Sequence, residues 1–247
     1  LAAWRSLGER RWEAEALYAI AALERDLREL PAAAVDFLQA LALWRELAEP
    51  ELEASTLNQL GMTRSYTGEI EAARDALESA LSLWQQLGER FEEVETRSNL
   101  CYLDQISGAL PAALACYEET RPLFRELGYE EEEARVLNSL GGVYDGLGEP
   151  DAALKHYEQA LLRWREVGDR LEEARTLNNI GVVHRTLGEW QEALRLYGQA
   201  REILEPLGNR SLEAARLNNV AFAYSNMGEP QRALPSFEEV LKLRQET

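Results

Sequence analysis

Residues 176–200, TLNNIGVVHRTLGEWQEALRLYGQA, contain the pattern that decides the fold. Runs with apolar residues every three to four positions lie on both sides of Gly188, and a glycine that follows such a run is typical of a helix ending in the left-handed conformation. The stretch therefore predicts two helices joined by a short turn. Glycine recurs in this phase every 20 residues, at Gly68, Gly88, Gly108, Gly128, Gly148, Gly168, Gly188, Gly208 and Gly228.

Alternate helices differ, so the predicted repeat is a helical pair of 40 residues. The first helix of each pair carries a motif related to TLNNIG. The second carries an alanine that is followed four residues later by Phe, Tyr or Leu. No alternating run of branched or aromatic residues indicates a strand. The first-helix motifs are TLNQLG (56–61), TRSNLC (96–101), VLNSLG (136–141), TLNNIG (176–181) and RLNNVA (216–221).

These residues resemble a known family. Signature positions of the tetratricopeptide repeat are matched by Leu177, Ile180, Gly181, Ala193, Tyr197 and Ala200. The common unit of that family has about 34 residues, and the longer form here is similar to the repeats of kinesin light chains and of bacterial arrays fused to CHAT-type proteases or signalling ATPases. The resemblance implies an all-α, right-handed solenoid of helix-turn-helix repeats whose concave groove binds a peptide or protein segment.

The repeat phase predicts one solenoid domain over residues 1–247. Its divisions are the end of a preceding repeat at 1–9 and six repeats at about 10–49, 50–89, 90–129, 130–169, 170–209 and 210–247. Neither end shows the polar outer helix that caps a solenoid. We therefore expect the apolar residues of the last hairpin to be less covered than their counterparts inside the array. We also expect end-to-end self-association through them. These residues are Ala221, Leu234, Phe237 and Leu241.

Composition excludes several classes of partner. The 247 residues include 26 Lys and Arg against 44 Asp and Glu, which gives a net charge of −18. A surface this acidic repels nucleic-acid phosphates. No apolar stretch approaches the roughly 20 residues of a membrane span, and no leader peptide is visible. We expect a cytoplasmic protein whose partners are proteins or peptides, with no nucleic acid and no membrane.

Helical periodicity predicts which side of each first helix is free to bind. In the helix that contains 174–186, one broad arc is apolar and the opposite arc carries Arg175, Asn178, Val182 and Arg185. Stacked repeats align such arcs into a groove. The predicted groove residues are Asn58, Asn138, Asn178, Asn218, Met62, Tyr102, Arg135, Arg175, Val182, Arg185 and Phe222.

Each set of groove residues has a structural alternative. The asparagines, with a second row at Gln59, Asn99, Ser139, Asn179 and Asn219, either bind the main chain of a peptide or bridge adjacent first helices. The arginines either clamp a carboxylate or pair with neighbouring glutamates. The apolar residues either form pockets for peptide side chains or pack against the facing helix. The whole groove could also stay empty, in a spacer, or belong to the sensor arm of a larger enzyme.

No catalytic constellation is present in the sequence, so we expect no enzymatic activity, no cofactor and no metal site. His184 occupies a packed position, which favours a neutral core histidine over a general base. Cys101 takes the place that glycine holds in other repeats and is interpreted as a small packing residue. Cys116 lies beside a core tyrosine with no histidine in phase, so a nucleophilic role is disfavoured. Two cysteines are too few for a disulfide framework.

Overall fold

The computed structural model describes Trp4 and residues 8–245, and that part of the chain is helical with no strand. Its helices, named here in chain order, alternate with turns of two or three residues. They are α1 (Arg10–Asp26), α2 (Leu30–Leu47), α3 (Pro50–Thr67), α4 (Ile70–Leu87), α5 (Arg90–Ile106), α6 (Leu110–Leu127), α7 (Glu130–Gly146), α8 (Pro150–Val167), α9 (Arg170–Thr186), α10 (Trp190–Leu207), α11 (Arg210–Asn226) and α12 (Pro230–Gln245).

The helices group into two compact units. The first, Leu1–Leu127, contains α1 to α6, and the second, Gly128–Thr247, contains α7 to α12. Each unit consists of three helical hairpins, and each hairpin coincides with one predicted 40-residue repeat. The prediction of an all-α fold built from helix-turn-helix repeats is confirmed. That all the repeats form a single domain stays a prediction.

A left-handed residue lies in the turn after each of the helices α1 to α11. Ten glycines from Gly8 to Gly228 adopt φ between 64° and 84°, a conformation that costs glycine little because it lacks Cβ. Two turns of the first repeat lack glycine in this phase, and there Arg28 (φ 65°) and Ala48 (φ 54°) adopt the same conformation. The stacking of the hairpins therefore imposes the turn even where the side chain opposes it.

Glycine also sets how closely the two helices of a hairpin approach. A Cβ added to Gly181 in α9 would lie 2.5 Å from Cε1 of Tyr197 in α10. The corresponding contact at Gly141 is 2.6 Å from a Tyr157 ring atom. Real side chains do not tolerate such distances, so these positions permit direct contact between helix backbone and ring. The ring, or Leu77 in the second hairpin, is buried in every internal hairpin, as is the alanine four residues before it.

Buried glutamates connect successive hairpins. Glu173, near the start of α9, is buried and accepts a hydrogen bond from Arg165 Nε, at the end of α8, over 2.8 Å, as well as one from Arg170. In the first unit, Glu93 is held by Arg90 and Gln85. Burial raises the pKa of Glu93, but these hydrogen bonds and the charges of Arg90 and Arg97 outweigh it, so the pKa lies below its usual value. The Glu93 carboxylate thus stays ionised inside the stack.

The third hairpin contains a covalent link that the sequence did not predict. Cys101 Sγ in α5 is bonded to Cys116 Sγ in α6, and their Cα atoms are 5.4 Å apart. The interpretation of Cys101 as a packing residue alone is therefore wrong. The two residues are 15 positions apart and face each other only because α5 and α6 pair at their closest contact.

The last hairpin is less covered than its internal counterparts, as expected. Leu234 and Leu241 are 57% and 61% exposed, and Phe237 is half-buried although the equivalent large residues of the other repeats are buried. The expectation was wrong for Ala221, which is fully buried. Ala221 occupies the position of Gly181 and therefore faces its own hairpin partner. None of the described helices is long and apolar enough to cross a membrane.

Replacing Ala48 by glycine should stabilise the protein. The left-handed conformation costs a non-glycine residue about 1 kcal/mol or more, and the added backbone freedom of the unfolded chain offsets part of that gain. We expect Ala48→Gly to raise the free energy of unfolding by about 0.5 kcal/mol in urea titration. Ala42→Gly, an exposed position inside α2 of the same hairpin, should lower it by about 1 kcal/mol. Equal destabilisation by both changes would contradict the imposed turn.

Candidate functional site

Burial divides each first helix into the two predicted arcs. In α9 the side chains of Leu177, Ile180 and Val183 are buried, whereas Asn178 and Val182 on the other side are half-buried. The arc that carries these half-buried residues, equivalent in every repeat, is called the open face here. Within each unit, the open faces of neighbouring first helices adjoin.

The two rows of polar residues on the open face bond to each other. In the second unit, Asn219 Nδ2 donates to Asn178 Oδ1 of the preceding first helix over 3.0 Å. Asn179 Nδ2 donates in the same way to Asn138 Oδ1 over 3.4 Å. The first unit has one such bridge, from Asn99 to Asn58. The amides therefore hold adjacent first helices in register, as the structural alternative proposed.

These bridges use only one end of each amide in the first row. Asn138 Oδ1 accepts from Thr176 Oγ1 as well as from Asn179. By contrast, the Nδ2 groups of Asn58, Asn138 and Asn178 donate to no described residue, and none of them is among the buried polar atoms that lack a partner. The side chains of Asn138 and Asn178 are half-buried, so their Nδ2 groups are open to solvent, whereas Asn58 is buried. The open face presents N–H donors whose orientation is fixed by the hydrogen bond to Oδ1 of the same amide.

Aromatic rings flank this row in the first unit. Tyr102 is half-buried and packs edge to face with Tyr66 at a centroid distance of 6.5 Å. Burial raises the pKa of Tyr102, and Tyr66 adds to this while the charge of Arg28 opposes it. Met62, one turn before Tyr66, is also half-buried. Sequence analysis missed Tyr66, although its spacing of four residues from Met62 places it on the same face.

Two of the three predicted groove arginines are engaged by their own helices. Arg135 lies 3.3 Å from Glu132 and 3.8 Å from Glu131. Arg175 lies 3.2 Å from Glu172. Both arginines are exposed, so each pair is worth only a few tenths of a kcal/mol. The alternative of pairing with neighbouring glutamates is therefore realised for these two residues.

Arg185 has a different environment. It is half-buried, its Nε has no hydrogen-bond acceptor, and no carboxylate among the described residues lies within ion-pair distance. Its charge faces Asp145, one repeat earlier in the same phase. Burial raises the pKa of Asp145, and Arg185 opposes that shift. Burial likewise raises the pKa of Tyr197 to about 12 against the influence of Arg185. Sequence analysis missed Asp145, which the 40-residue phase would have found.

The apolar candidates of the second unit differ in exposure. Val182 is half-buried. Phe222 is 49% exposed and packs edge to face with Phe237 of α12 at 5.7 Å. Asn218, on the preceding turn of α11, is half-buried. Phe222 thus contacts the facing helix and still offers half of its surface to solvent.

The histidine interpretation needs correction. His184 is half-buried, with Nδ1 2.5 Å from Glu189 Oε2, and therefore pairs with an exposed carboxylate. It is not a core residue, because the last turn of α9 reaches the loop before α10. Within the described part of the chain, no three His, Cys, Asp or Glu side chains are grouped so that they could hold a metal ion.

Comparison with known proteins assigns the family. A family model described as tetratricopeptide repeat matches residues 12–86, 92–161, 132–206 and 172–246. The chain belongs to the tetratricopeptide repeat family. A search of curated proteins finds no match to this sequence.

Solved structures share the fold of this tetratricopeptide array at low sequence identity. The repeats of a putative kinesin light chain from Podosopora anserina are 15% identical, with a TM-score of 0.62 over 78% of this chain and 95% of that one. A signal transduction ATPase with a tetratricopeptide repeat sensor, from Pyrococcus horikoshii, is 16% identical, with a TM-score of 0.75 over 98% of this chain and 37% of that one.

A third structure was solved with a ligand. It is the Rap conjugation gene regulator of plasmid pLS20 in complex with the Phr* peptide, and it is 13% identical with a TM-score of 0.74. The alignment covers 92% of this chain and 74% of that one. At these identities the comparison shows the fold alone.

The amide bridges should contribute measurably to the stability of the tetratricopeptide array. Asn219→Ala removes the donor to Asn178 Oδ1 and should lower the free energy of unfolding by about 1 kcal/mol. Asn226→Ala serves as the control, because Asn226 is exposed at the end of α11. Urea titration of both variants tests this. If Asn219→Ala shifts the midpoint no more than the control does, the bridges carry no stability.

Proposed function

We propose that this protein is an interaction module that binds an extended peptide or protein segment along the open faces of its first helices, which would line the concave groove. The proposal rests on one observation, namely that the oxygen and the nitrogen of each asparagine amide have different surroundings. In the second unit, Oδ1 of Asn138 and of Asn178 accepts the bridge from the next repeat, while Nδ2 of these half-buried side chains faces solvent. Amide donors at repeat spacing suit the carbonyl groups of an extended main chain, whatever its sequence.

Side-chain recognition would come from the residues beside the row. In the first unit, half-buried Met62 and Tyr102 and exposed Tyr66 offer apolar surface for a peptide side chain. Val182 and Phe222 would serve in the second unit. Aromatic and apolar anchors of this kind supply most of the affinity of peptide interfaces.

Charge favours a neutral or basic partner. The net charge of −18 attracts cationic segments and repels phosphate backbones and anionic membrane surfaces. Arg135 and Arg175 already pair with glutamates of their own helices, and Arg185 faces Asp145. These arginines would therefore tune specificity and would not act as a carboxylate clamp. We infer a cytoplasmic scaffold without catalytic activity, and family membership supports this role.

The peptide complex of the Rap regulator and the sensor of the signalling ATPase support the proposal by likeness of fold. The same open face would serve a free scaffold and the sensor arm of a larger signalling protein equally well. A spacer, in contrast, would leave the donor row unoccupied. A peptide-binding experiment therefore distinguishes a spacer from a free scaffold or a sensor arm.

Substitution of asparagine by aspartate separates binding from structure. Asp at positions 138 and 178 keeps the acceptor for the next repeat and replaces the solvent-facing donor with an oxygen. Peptides selected from a phage-displayed library of random sequences against the wild type should bind Asn138→Asp/Asn178→Asp roughly 100-fold more weakly, or about tenfold for each lost hydrogen bond. Isothermal titration calorimetry measures this, and urea titration should show nearly unchanged stability.

The control for added charge is Asn226→Asp, which leaves the row intact and should bind like the wild type. Selection that yields no peptide, or unchanged affinity of the double variant, would refute the role of the row. Normal binding by the double variant together with weaker binding by Asn219→Ala would assign the asparagines to structure alone.

A second copy of the chain would cover the exposed end hairpin. Leu234 and Leu241 of α12 are largely exposed, and Leu23 of α1 is 63% exposed although its equivalents in the other repeats are fully buried. These are stacking positions, and apolar surfaces of one repeat type complement each other. We propose weak head-to-tail association.

Light scattering should therefore show a mass that rises with protein concentration. Leu234→Glu/Leu241→Glu should abolish the rise, and Leu162→Glu, at an exposed leucine of α8, should not. A constant monomer mass for the wild type at high concentration would rule out this association.

A further inference from the structure

The disulfide of the third hairpin lies where the other repeats place no sulfur. Cys101 occupies the position of Gly61, Gly141 and Gly181, at the closest contact between first and second helix. Cys116 corresponds to Ala76 of the second repeat. The pair thus replaces a glycine and an alanine with a covalent link at the tightest point of one hairpin.

The hairpin does not need this link in order to form. The five other hairpins reach the same arrangement without cysteine. In the third hairpin, Leu103, Ala113, Tyr117 and Phe124 are all buried, and Tyr117 donates to Gln105 across the two helices. Packing alone would therefore keep α5 and α6 together after reduction.

The surroundings also accommodate the reduced pair. The carbonyl oxygen of Arg97, one turn before Cys101, lies 3.1 Å from Cys101 Sγ and 3.7 Å from Cys116 Sγ. A thiol at either position would find this oxygen as an acceptor. Thr120 Oγ1 lies 4.0 Å from Cys101 Sγ and offers a second polar neighbour. Breaking the disulfide therefore leaves no isolated sulfur in an apolar cavity.

The two sulfurs differ in access. Cys101 is fully buried, whereas Cys116 is partly exposed. An attacking thiolate can therefore reach Cys116 and displace Cys101 as the leaving group, and not the reverse.

We propose that Cys101 and Cys116 form a reversible thiol–disulfide site that is reduced by a small dithiol while the hairpin stays folded. A thiolate of the dithiol attacks Cys116 Sγ, the Cys101–Cys116 bond breaks, and Cys101 leaves as a thiolate that takes up a proton. The second thiol of the reductant then displaces Cys116, which is also protonated. The protein gains two electrons and two protons, and the reductant leaves as its own disulfide.

The proposed thiol–disulfide site bears on the redox state of the compartment in which the protein would act. Permanent disulfides are typical of oxidising compartments. A pair that exchanges in the folded state would instead respond to the thiol balance of a reducing cytoplasm. Reduction removes a crosslink that closes a short loop, so it should lower the stability of the first unit without unfolding it.

The test follows thiols and stability in the same samples. The full chain is oxidised with oxidised glutathione and then treated with dithiothreitol without denaturant. After the dithiothreitol has been removed, the chain is denatured and alkylated with iodoacetamide, so that a buried thiol also reacts. Mass spectrometry should show no label after oxidation, two labels after reduction, and none again after reoxidation. Circular dichroism should show unchanged helicity, with a midpoint of thermal unfolding roughly 6–12 °C lower in the reduced protein.

The matched control is Cys101→Gly/Cys116→Ala, which restores the glycine–alanine pair of the second repeat. It should fold, and its thermal midpoint should be the same in both redox conditions. Cys116→Ser should leave Cys101 unlabelled in the folded protein, because that thiol is buried. Full labelling after oxidation would show that no disulfide forms, and a disulfide that resists dithiothreitol until the chain is denatured would show a permanent crosslink. Either result overturns the proposal, and neither depends on peptide binding.

Discussion

The contact between a small residue of the first helix and a large side chain of the second is the constraint on which the rest of the structure depends. A Cβ at Gly141 or Gly181 would lie within 2.6 Å of a tyrosine ring atom, so these two hairpins need a residue without a side chain there. The equivalent position holds alanine or cysteine in the first, third and last repeats. The distance between the two helices of a hairpin determines where the next hairpin packs against it. The rows of equivalent residues align from repeat to repeat because each hairpin has a similar distance between its two helices.

The asparagine row depends on that alignment. Asparagine is unfavourable inside a helix because its side chain competes for backbone hydrogen bonds. Here the side chain of Asn178 is engaged by Asn219 of the next repeat instead, and the bridge contributes stability that offsets the poor helix propensity. The same bond fixes the amide so that its nitrogen points outward. One interaction therefore both joins the repeats and orients the donors that we propose for binding.

The charged side chains are placed so that the hairpins of this acidic chain can stack. Glu93 and Glu173 are buried between hairpins, where an unpaired carboxylate would be costly, and each is held by arginines from its own helix or from the preceding one. Most of the excess negative charge remains on the surface. The charges on the open face of the second unit nearly balance, since Arg135 and Arg175 pair with glutamates and the charge of Arg185 acts on Asp145 beyond ion-pair distance. This balance favours recognition by donors and apolar surface over recognition by charge.

The sequence by itself determined the helical pairs, their 40-residue period, the turns and the buried arc of each first helix. These features follow from local rules, since glycine phase and apolar periodicity act within about one helical turn of each residue. Only the tertiary structure decided which end of each asparagine is used, that Asp145 faces Arg185, and that Cys101 bonds to Cys116. Those partners are 15 to 41 residues apart, and their side chains meet only after helices have paired and hairpins have stacked. Periodicity can place such residues on a common face, but the orientation of a side chain depends on the packing around it.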